Sequence, residues 1–168
     1  QRLQGLAERY GAATLTQTMG ELMDYSERLM RSMLADLPDG NGAFAEYLDG
    51  DGIADDDDGN DAPIWIRMKV DKRGDRIIVD FDGTDPQTAG PINAPLSVTA
   101  SGVYCGLKTA VDPNSLIPPN SGCWRAIEVT APKGSLLNAE FPSPVVYANH
   151  EISHRLADMV MGALVEFW

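Results

Sequence analysis

Residues 63–82 read PIWIRMKVDKRGDRIIVDFD, and the rest of the fold can be arranged around them. From Ile64 to Val70, apolar and polar residues alternate, which is the period of a strand with one buried face. The alternation resumes at Ile77, after a turn formed by residues 72–75. Residues 63–82 therefore predict an antiparallel hairpin.

Apolar residues at three- and four-residue spacing predict helices on both sides of this hairpin. A short helix covers residues 2–10 and stops at Gly11, and a longer one covers 13–37, with one apolar stripe expected to pack on the core. Further helices are predicted at 97–111 and 151–167. The core stripe of the last helix comprises Ile152, Leu156, Met159, Val160, Ala163, Leu164 and Phe167.

Two more strands complete the predicted sheet, one from about Phe44 to Leu48 and one over residues 125–130. The predicted fold class is α+β and mixed, with helices at both ends, a small mainly antiparallel sheet and long Gly/Pro-rich loops. We expect a single domain or a segment of a larger subunit. Its predicted parts are a helical region (1–38), a strand- and loop-rich region (43–148) and a final helix (149–168).

The charge and the apolar content exclude some classes of function. A net charge of −12 repels phosphate backbones, so nucleic-acid binding has no electrostatic support. No apolar run approaches the roughly 18 residues of a membrane span. Cys105 and Cys123 are too few for a disulfide framework and are expected to be buried thiols, which indicates a cytoplasmic protein.

Seven aspartates between Asp49 and Asp61 concentrate part of the negative charge. This tract has few apolar groups to offset the entropy of ordering it, so a mobile surface loop is predicted. A calcium loop of the EF-hand type would need a glutamate at its last position, which falls here on Asp58 or Trp65. A solvated linker is the better interpretation.

The string IIVDFDGT at 77–84 matches the first motif of haloacid-dehalogenase-like phosphatases, in which an aspartate attacks phosphorus. That family needs a parallel strand buried on both faces, whereas this strand is the second arm of a hairpin. We therefore predict that Asp80, Asp82 and Thr84 anchor the loop that follows, with carboxylates accepting backbone N–H bonds.

The string HEISH at 150–154 satisfies the H-E-x-x-H rule of zinc peptidases. Helical periodicity places His150 and His154 opposite the apolar stripe of the last helix, where they would face solvent or a partner chain. Arg155 and the lack of a convincing third ligand weaken the zinc interpretation further. Solvated or interface histidines are favoured, and a zinc peptidase stays an alternative.

Several motifs follow one another in the order of a known family. They are DFDGTDPQ at 80–87, GPIN at 90–93, PNSGCWRAI at 119–127, APKGSLLN at 131–138 and FPSPV at 141–145. The last helix fits this family as well, through Asn149, Ser153, Arg155, Asp158, Gly162, Ala163 and Leu164. Over nearly its whole length, the chain resembles the C-terminal side of the hydantoinase B and oxoprolinase B-subunit family, which includes N-methylhydantoinase B and acetone carboxylase alpha-like proteins.

The resemblance implies an enzyme that works as a heteromeric complex. In this family an A-type subunit with an actin-like ATPase fold phosphorylates a lactam, imide or ketone-derived oxygen, and the B-type subunit completes ring opening or carboxylation. The resemblance also implies ATP and Mg²⁺ on the A-type partner and a divalent metal, Zn or Mn, in a preceding part of the B-type subunit. No cofactor is expected within this segment.

The expected partners are therefore the remainder of the B-type subunit, the A-type ATPase subunit and a small cyclic amide or ketone. We expect both ends of the chain to continue into a longer polypeptide and the isolated chain to be inactive. A noncatalytic assembly or binding subunit is a third hypothesis.

The candidates for contacts with substrate or with another chain are polar residues set among glycines and prolines. They are Asn93, Asn120, Arg125, Asn138 and Asn149. Hydrogen bonds that brace the loops are the other interpretation of the same residues, and the favoured one. No metal ligand is transferred from the family to this chain.

Overall fold

The computed structural model describes residues 1–53, 59 and 61–168, so the predictions for the middle of the aspartate tract lie outside the described residues. The described elements are α1 (Arg2–Tyr10), α2 (Ala12–Ala35), β1 (Gly40–Leu48), β2 (Ile64–Arg73), β3 (Arg76–Asp80), α3 (Leu96–Val111), β4 (Ile127–Thr130) and α4 (Ser153–Leu164). A π-helical turn, Ala148–Ile152, leads directly into α4. The fold is α+β, as predicted.

The described strands form one sheet in the order β1-β2-β3-β4. The pairs β1–β2 and β2–β3 are antiparallel, which confirms the hairpin, and β3–β4 is parallel. The hairpin turn is shorter than predicted because β2 continues to Arg73, and Gly74 adopts a φ of 55° in the turn itself. β1 also begins earlier than predicted, at Gly40, which pairs with Lys72.

The inner face of the sheet is covered by helices that approach it closely. α4 lies across β1 and β2, and a Cβ added at Gly42 would lie only 2.1 Å from the carbonyl oxygen of Ala163. α3 packs on α4 in the same way, since a Cβ at Gly106 would lie 2.7 Å from the carbonyl oxygen of Ala157. Glycine is therefore required where these backbones meet.

Lys72 continues the inner face of β2 and is only 1% exposed. Its ammonium donates hydrogen bonds to the Leu37 carbonyl, just beyond the end of α2, and to the Asp39 carboxylate at 2.9 Å. The bond from Lys72, followed by one from the Gly74 N–H, lowers the pKa of Asp39 below its ordinary value. Assigning Lys72 to the turn was wrong because strand alternation extends through it.

Only the second half of α2 packs on the core. Met30 and Leu34 are fully buried, whereas Met19 and Leu22 are 52% and 48% exposed. Every residue of α1 is exposed or half-buried. The prediction that the whole apolar stripe of the long helix packs on the core was therefore wrong, because α1 and the first half of α2 lie beyond the other elements.

The core stripe predicted for the last helix is confirmed. Its buried members are Ile152, Leu156, Met159, Val160, Ala163 and Leu164, and Phe167 packs against them partly buried. Cys123 is buried as predicted, but Cys105 is exposed because it lies on the side of α3 turned away from α4. Within the described residues, no helix is both long and apolar enough to cross a membrane.

Candidate functional site

The loops that carry four of the five quoted motifs, at 80–87, 90–93, 131–138 and 141–145, meet at one end of the sheet. Asp80 at the end of β3 and Thr130 at the end of β4 are partners in the parallel pair, so loop A (81–95) and loop B (131–147) leave the sheet side by side. Thr130 Oγ1 donates to Asp80 Oδ1 at 2.7 Å, and the Asp82 N–H donates to the same oxygen at 3.2 Å. Asp80 thus holds the starts of both loops.

Thr84 and Asp85 take the place of a strand partner where β2 extends beyond the end of β3. The Thr84 hydroxyl accepts the N–H of Arg67 and donates to its carbonyl, both at 3.1 Å. The Asp85 carboxylate accepts the Trp65 N–H at 2.8 Å and a guanidinium N–H of Arg67 at 2.9 Å. These bonds satisfy the edge of β2 and hold loop A against it.

Asn93 is fully buried at the centre of loop A. Its Oδ1 accepts the Thr88 N–H at 2.7 Å, and its Nδ2 donates to the carbonyls of Thr88, Gly90 and Pro144 at 2.9, 2.9 and 3.0 Å. Because Pro144 belongs to loop B, one side chain ties the two loops together. With its amide engaged on both sides, Asn93 has little capacity left for a ligand.

Backbone hydrogen bonds interlock the two loops further. The Leu136 N–H donates to the Asp85 carbonyl at 3.0 Å, and the Ala94 N–H donates to the Leu136 carbonyl at 2.7 Å. The Tyr147 N–H donates to the Pro91 carbonyl at 2.9 Å. We call the two loops, together with the π-helical turn, the loop assembly; its rigidity follows from these bonds.

The described start of the aspartate tract is attached to this assembly. The Asp51 carboxylate accepts the Gly90 N–H at 2.6 Å, and the Asp61 carboxylate accepts the N–H groups of Asp51 and Gly52 at 3.1 and 2.7 Å. A Cβ at Gly90 would lie 2.2 Å from the Asp51 carbonyl oxygen, so glycine is needed for this approach. The two described ends of the tract are thereby held together at loop A.

A cleft of about 370 Å³ opens where loop A, the π-helical turn and the end of β1 meet. We call it the His150 cleft, and its polar lining includes Asp49, Tyr147, His150, Glu151 and Arg155. Arg155 donates to the Glu151 carboxylate at 2.6 Å and also pairs with Glu46 of β1. The charge of this arginine is therefore compensated within the wall of the cleft.

The side chains of Asp49, Tyr147 and His150 make no hydrogen bond or ion pair with any residue that the structure describes. A carboxylate accepts, a phenol donates and accepts, and an imidazole can do either, so together they suit a ligand with both donors and acceptors, such as an amide. π-helical turns within helices are frequent at functional sites. The His150 cleft is therefore the candidate functional site.

The HEISH string lies beside this cleft, but its glutamate is already engaged. His150 and His154 are both exposed, on the side that helical periodicity predicts, while Glu151 is bonded to Arg155. Among the described residues, no group of three or more His, Cys, Asp or Glu side chains is placed to hold a metal ion. The structure therefore gives the zinc interpretation no geometric support.

Three of the predicted contact residues lie in the loop assembly. Asn93 is buried as described above, and Asn138 Nδ2 donates to the Ala131 carbonyl at 2.9 Å. Asn149 lies in the π-helical turn with its side chain exposed, and its carbonyl accepts the Ser153 hydroxyl at 2.7 Å. Of these three, Asn149 has the side chain most accessible to a ligand or a partner chain.

Asn120 and Arg125 lie elsewhere, against α2. Asn120 Nδ2 donates to Ser26 Oγ at 2.7 Å, and the Arg125 guanidinium donates to Asp24 and Glu27 at 2.8 and 3.0 Å. The bond from Arg125 is the largest influence on Glu27 and holds the pKa of that carboxyl below its ordinary value. Contact between either residue and a substrate stays a prediction.

Sequence reasoning missed Asp49, Asp51 and Tyr147 in the lining of the His150 cleft, and Asp85 in the supporting loop A. For Asp85 a local signal existed, since an aspartate directly after Gly83-Thr84 in a loop is a typical acceptor for nearby backbone N–H groups. Asp51 and Tyr147 carry no such signal. Asp51, for example, meets Gly90 across 39 positions of the chain, which only the folded backbone brings together.

The comparisons with known proteins agree with the motif order. The family model described as hydantoinase B/oxoprolinase matches residues 1–167. The chain therefore belongs to the hydantoinase B/oxoprolinase family.

Two relatives come from Pseudomonas. The B-type subunit of a putative D-/L-hydantoinase from a Pseudomonas species is 38% identical over 171 residues, which cover 99% of this chain and 28% of that protein. The beta subunit of caprolactamase from Pseudomonas jessenii is 33% identical over 162 residues, which cover 95% of this chain and 26% of that protein. The chain thus spans about a quarter of the length of these relatives.

Solved structures show the same fold. The crystal structure of ATP-dependent caprolactamase from Pseudomonas jessenii matches with a TM-score of 0.78 and 33% identity, over 98% of this chain and 27% of that one. A nucleotide-free structure of acetone carboxylase matches with a TM-score of 0.71 over 88% of this chain and 20% of that one. At 15% identity, the second match is evidence for the fold alone.

Proposed function

We propose that the chain forms part of the B-type subunit of an ATP-dependent enzyme that opens a cyclic amide, together with an A-type ATPase subunit. The observation that carries the proposal is the match to ATP-dependent caprolactamase, at 33% identity over 98% of the chain. Hydantoin, 5-oxoproline and caprolactam, after which several relatives are named, are all cyclic amides. A cyclic amide is therefore the substrate class that this family membership favours.

ATP solves a chemical problem for such a substrate. An unactivated amide resists attack by water, whereas phosphorylation of its oxygen makes the carbonyl carbon a better electrophile. Water then adds to this carbon, the ring C–N bond breaks to release the amine, and a second water hydrolyses the resulting acyl phosphate to a carboxylate and phosphate. Binding and electrostatic stabilisation then act on a smaller barrier. In this proposal ATP and Mg²⁺ bind to the A-type partner, and a divalent metal, Zn or Mn, binds in the remainder of the B-type subunit.

The proposed role of this chain is to hold polar groups in place for contact with the substrate. The loop assembly fixes the walls of the His150 cleft through Asn93 and Asp80, and no described residue bonds to the side chains of Asp49, Tyr147 and His150. A carboxylate can accept the N–H of a cyclic amide while a phenol or an imidazole donates to its oxygen. Such groups work best when their supports are rigid.

The test is turnover by the complete complex. The A-type subunit and the full B-type subunit are co-expressed, and ATP hydrolysis is measured with hydantoin, 5-oxoproline or caprolactam. We expect one of these to stimulate ATP hydrolysis and to yield its ring-opened product. His150→Gln and Tyr147→Phe are expected to lower kcat/KM by about tenfold, which corresponds to about 1.4 kcal/mol of lost transition-state stabilisation.

The matched control is His154→Gln, one turn further along the same exposed side, outside the lining of the His150 cleft. It is expected to leave kcat/KM unchanged. If acetone with bicarbonate stimulates ATP hydrolysis and no cyclic amide does, the enzyme is a ketone carboxylase and not a hydrolase. A complex that turns over normally in every variant would assign this chain an assembly role. Loss of bound zinc from both histidine variants would revive the peptidase hypothesis.

A further inference from the structure

α3 has a second, polar face beside the glycines that pack on α4. Ser101, Cys105, Lys108 and Asp112 follow one another at spacings of four, three and four residues, which places them along one side of the helix. Together with Tyr104 and Trp124 they line a cleft of about 510 Å³, which we call the Trp124 cleft. This volume lies within the range of small-molecule sites.

One wall of the Trp124 cleft is built from two stacked aromatic rings. The rings of Tyr104 and Trp124 are stacked with centroids 4.5 Å apart and planes only 2° from parallel. Both residues are half-buried, so each ring is held by the core while part of it faces the cleft. Turns on either side of Trp124 fix its backbone, since the Ile127 N–H donates to the Trp124 carbonyl at 3.0 Å. Because the two rings cover each other's facing sides, a planar ligand can extend this stack from the outer face of one ring.

The ammonium group of Lys108 lies on the same cleft as this wall. Lys108 pairs with Asp112, whose carboxylate is 1% exposed and also accepts the N–H groups of Leu116 and Ile117 at 2.7 and 2.9 Å. Lysine has three N–H donors, and among the described residues only Asp112 uses one, so two remain for a ligand in the cleft. Because Asp112 already compensates the charge of Lys108 and the chain carries a net charge of −12, a neutral acceptor fits better than an anion.

We propose that the Trp124 cleft binds a small, neutral, planar aromatic compound that carries a carbonyl oxygen, with its ring extending the Tyr104–Trp124 stack and its oxygen on Lys108. This site is separate from the His150 cleft, with no lining residue in common. It does not depend on the proposed function. It would serve an aromatic effector or the aromatic substituent of a larger ligand.

The test uses two amides that differ in the ring alone. Benzamide is planar and aromatic, whereas cyclohexanecarboxamide carries the same amide on a saturated ring. In NMR titrations of the chain, benzamide is expected to shift the resonances of Trp124 and of residues near Lys108 saturably. It is expected to bind about fivefold more tightly than cyclohexanecarboxamide, as stacking is worth about 1 kcal/mol. Alkylation of the exposed Cys105 thiol by iodoacetamide is expected to slow in parallel, while Cys123 is buried.

Trp124→Leu is expected to abolish the preference for benzamide, and Trp65→Leu, on the outer face of the sheet, is the matched control that keeps it. If Trp124→Leu does not fold, Lys108→Met preserves the aliphatic stem and is expected to weaken benzamide binding about tenfold. Equal binding of the two amides would overturn the proposal. Shifts confined to other parts of the chain, or loss of binding in Trp65→Leu, would also overturn it.

Discussion

Replacing Asn93 with alanine tests whether one side chain holds the loop assembly together. The change removes four hydrogen bonds of 2.7–3.0 Å from a site with no exposure to solvent. Each is worth about 0.5–1.5 kcal/mol, and the Gly90 carbonyl left behind remains buried. We expect a loss of about 3 kcal/mol, which lowers the Tm of a chain of this size by about 6–12 °C.

Thermal and urea unfolding followed by circular dichroism measure this loss. Ser135→Ala is the matched control, because Ser135 is also buried in loop B while its hydroxyl has no hydrogen-bond partner among the described residues. It is expected to leave the Tm unchanged or to raise it slightly. An Asn93→Ala variant as stable as the Ser135→Ala variant would refute the bracing role and return Asn93 to the candidates for substrate contact.

Three further predictions concern packing, charge and local stability. Gly42→Ala is expected to cost about 3 kcal/mol in urea unfolding, because two backbones must separate. Gly20→Ala, where an added Cβ meets no described atom within 4 Å, is expected to stabilise by about 0.5–1 kcal/mol. If Gly42→Ala and Gly20→Ala changed the free energy of unfolding in the same direction, the packing of α4 on β1 would be contradicted. Burial raises the pKa of Asp112, but bonds from Lys108 and two backbone amides outweigh it and lower the pKa overall. The ionised Asp112 carboxylate therefore stabilises the fold fully at pH values above its unfolded-state pKa of about 3.9. This stabilisation is lost as the pH falls through the lower pKa of the folded state. In urea titrations, Asp112→Asn should thus lower the free energy of unfolding more at pH 7 than at pH 3. A larger loss at pH 3 than at pH 7 would contradict the assignment. In hydrogen exchange of the isolated chain, amides of α1 are expected to exchange far faster than those around Met30, since a short unpacked helix is marginal in water. Equal protection of the amides of α1 and of those around Met30 would contradict the exposure of α1.

The parts of the fold that were predictable are those whose contacts repeat along the chain. The hairpin and α4 bury every second or every third to fourth residue, so their inner faces can be read from the sequence. The same reading failed for the first half of α2. Its apolar spacing is as regular as that of the second half, but spacing does not say whether another element covers the stripe.

The site was less predictable than the fold. The motif order pointed to loop A and loop B. The residues that line the His150 cleft, however, come from three separated segments. They include Asp49 and Tyr147, which belong to none of the quoted motifs. Lys72 shows the same limit in the core. It was assigned to the turn at 72–75, and only the position of the α2 carboxyl end explains how its ammonium is satisfied inside.

By itself the sequence determined the secondary structure, the α+β class and the family, because periodicity, turn residues and motif order are properties of neighbours along the chain. The tertiary structure alone decided which asparagines are consumed by bracing, which polar groups stay unpaired in a cleft, and which apolar stripes stay uncovered. Those outcomes depend on distances between residues far apart in sequence, such as Asn93 and Pro144, and no local pattern encodes such distances.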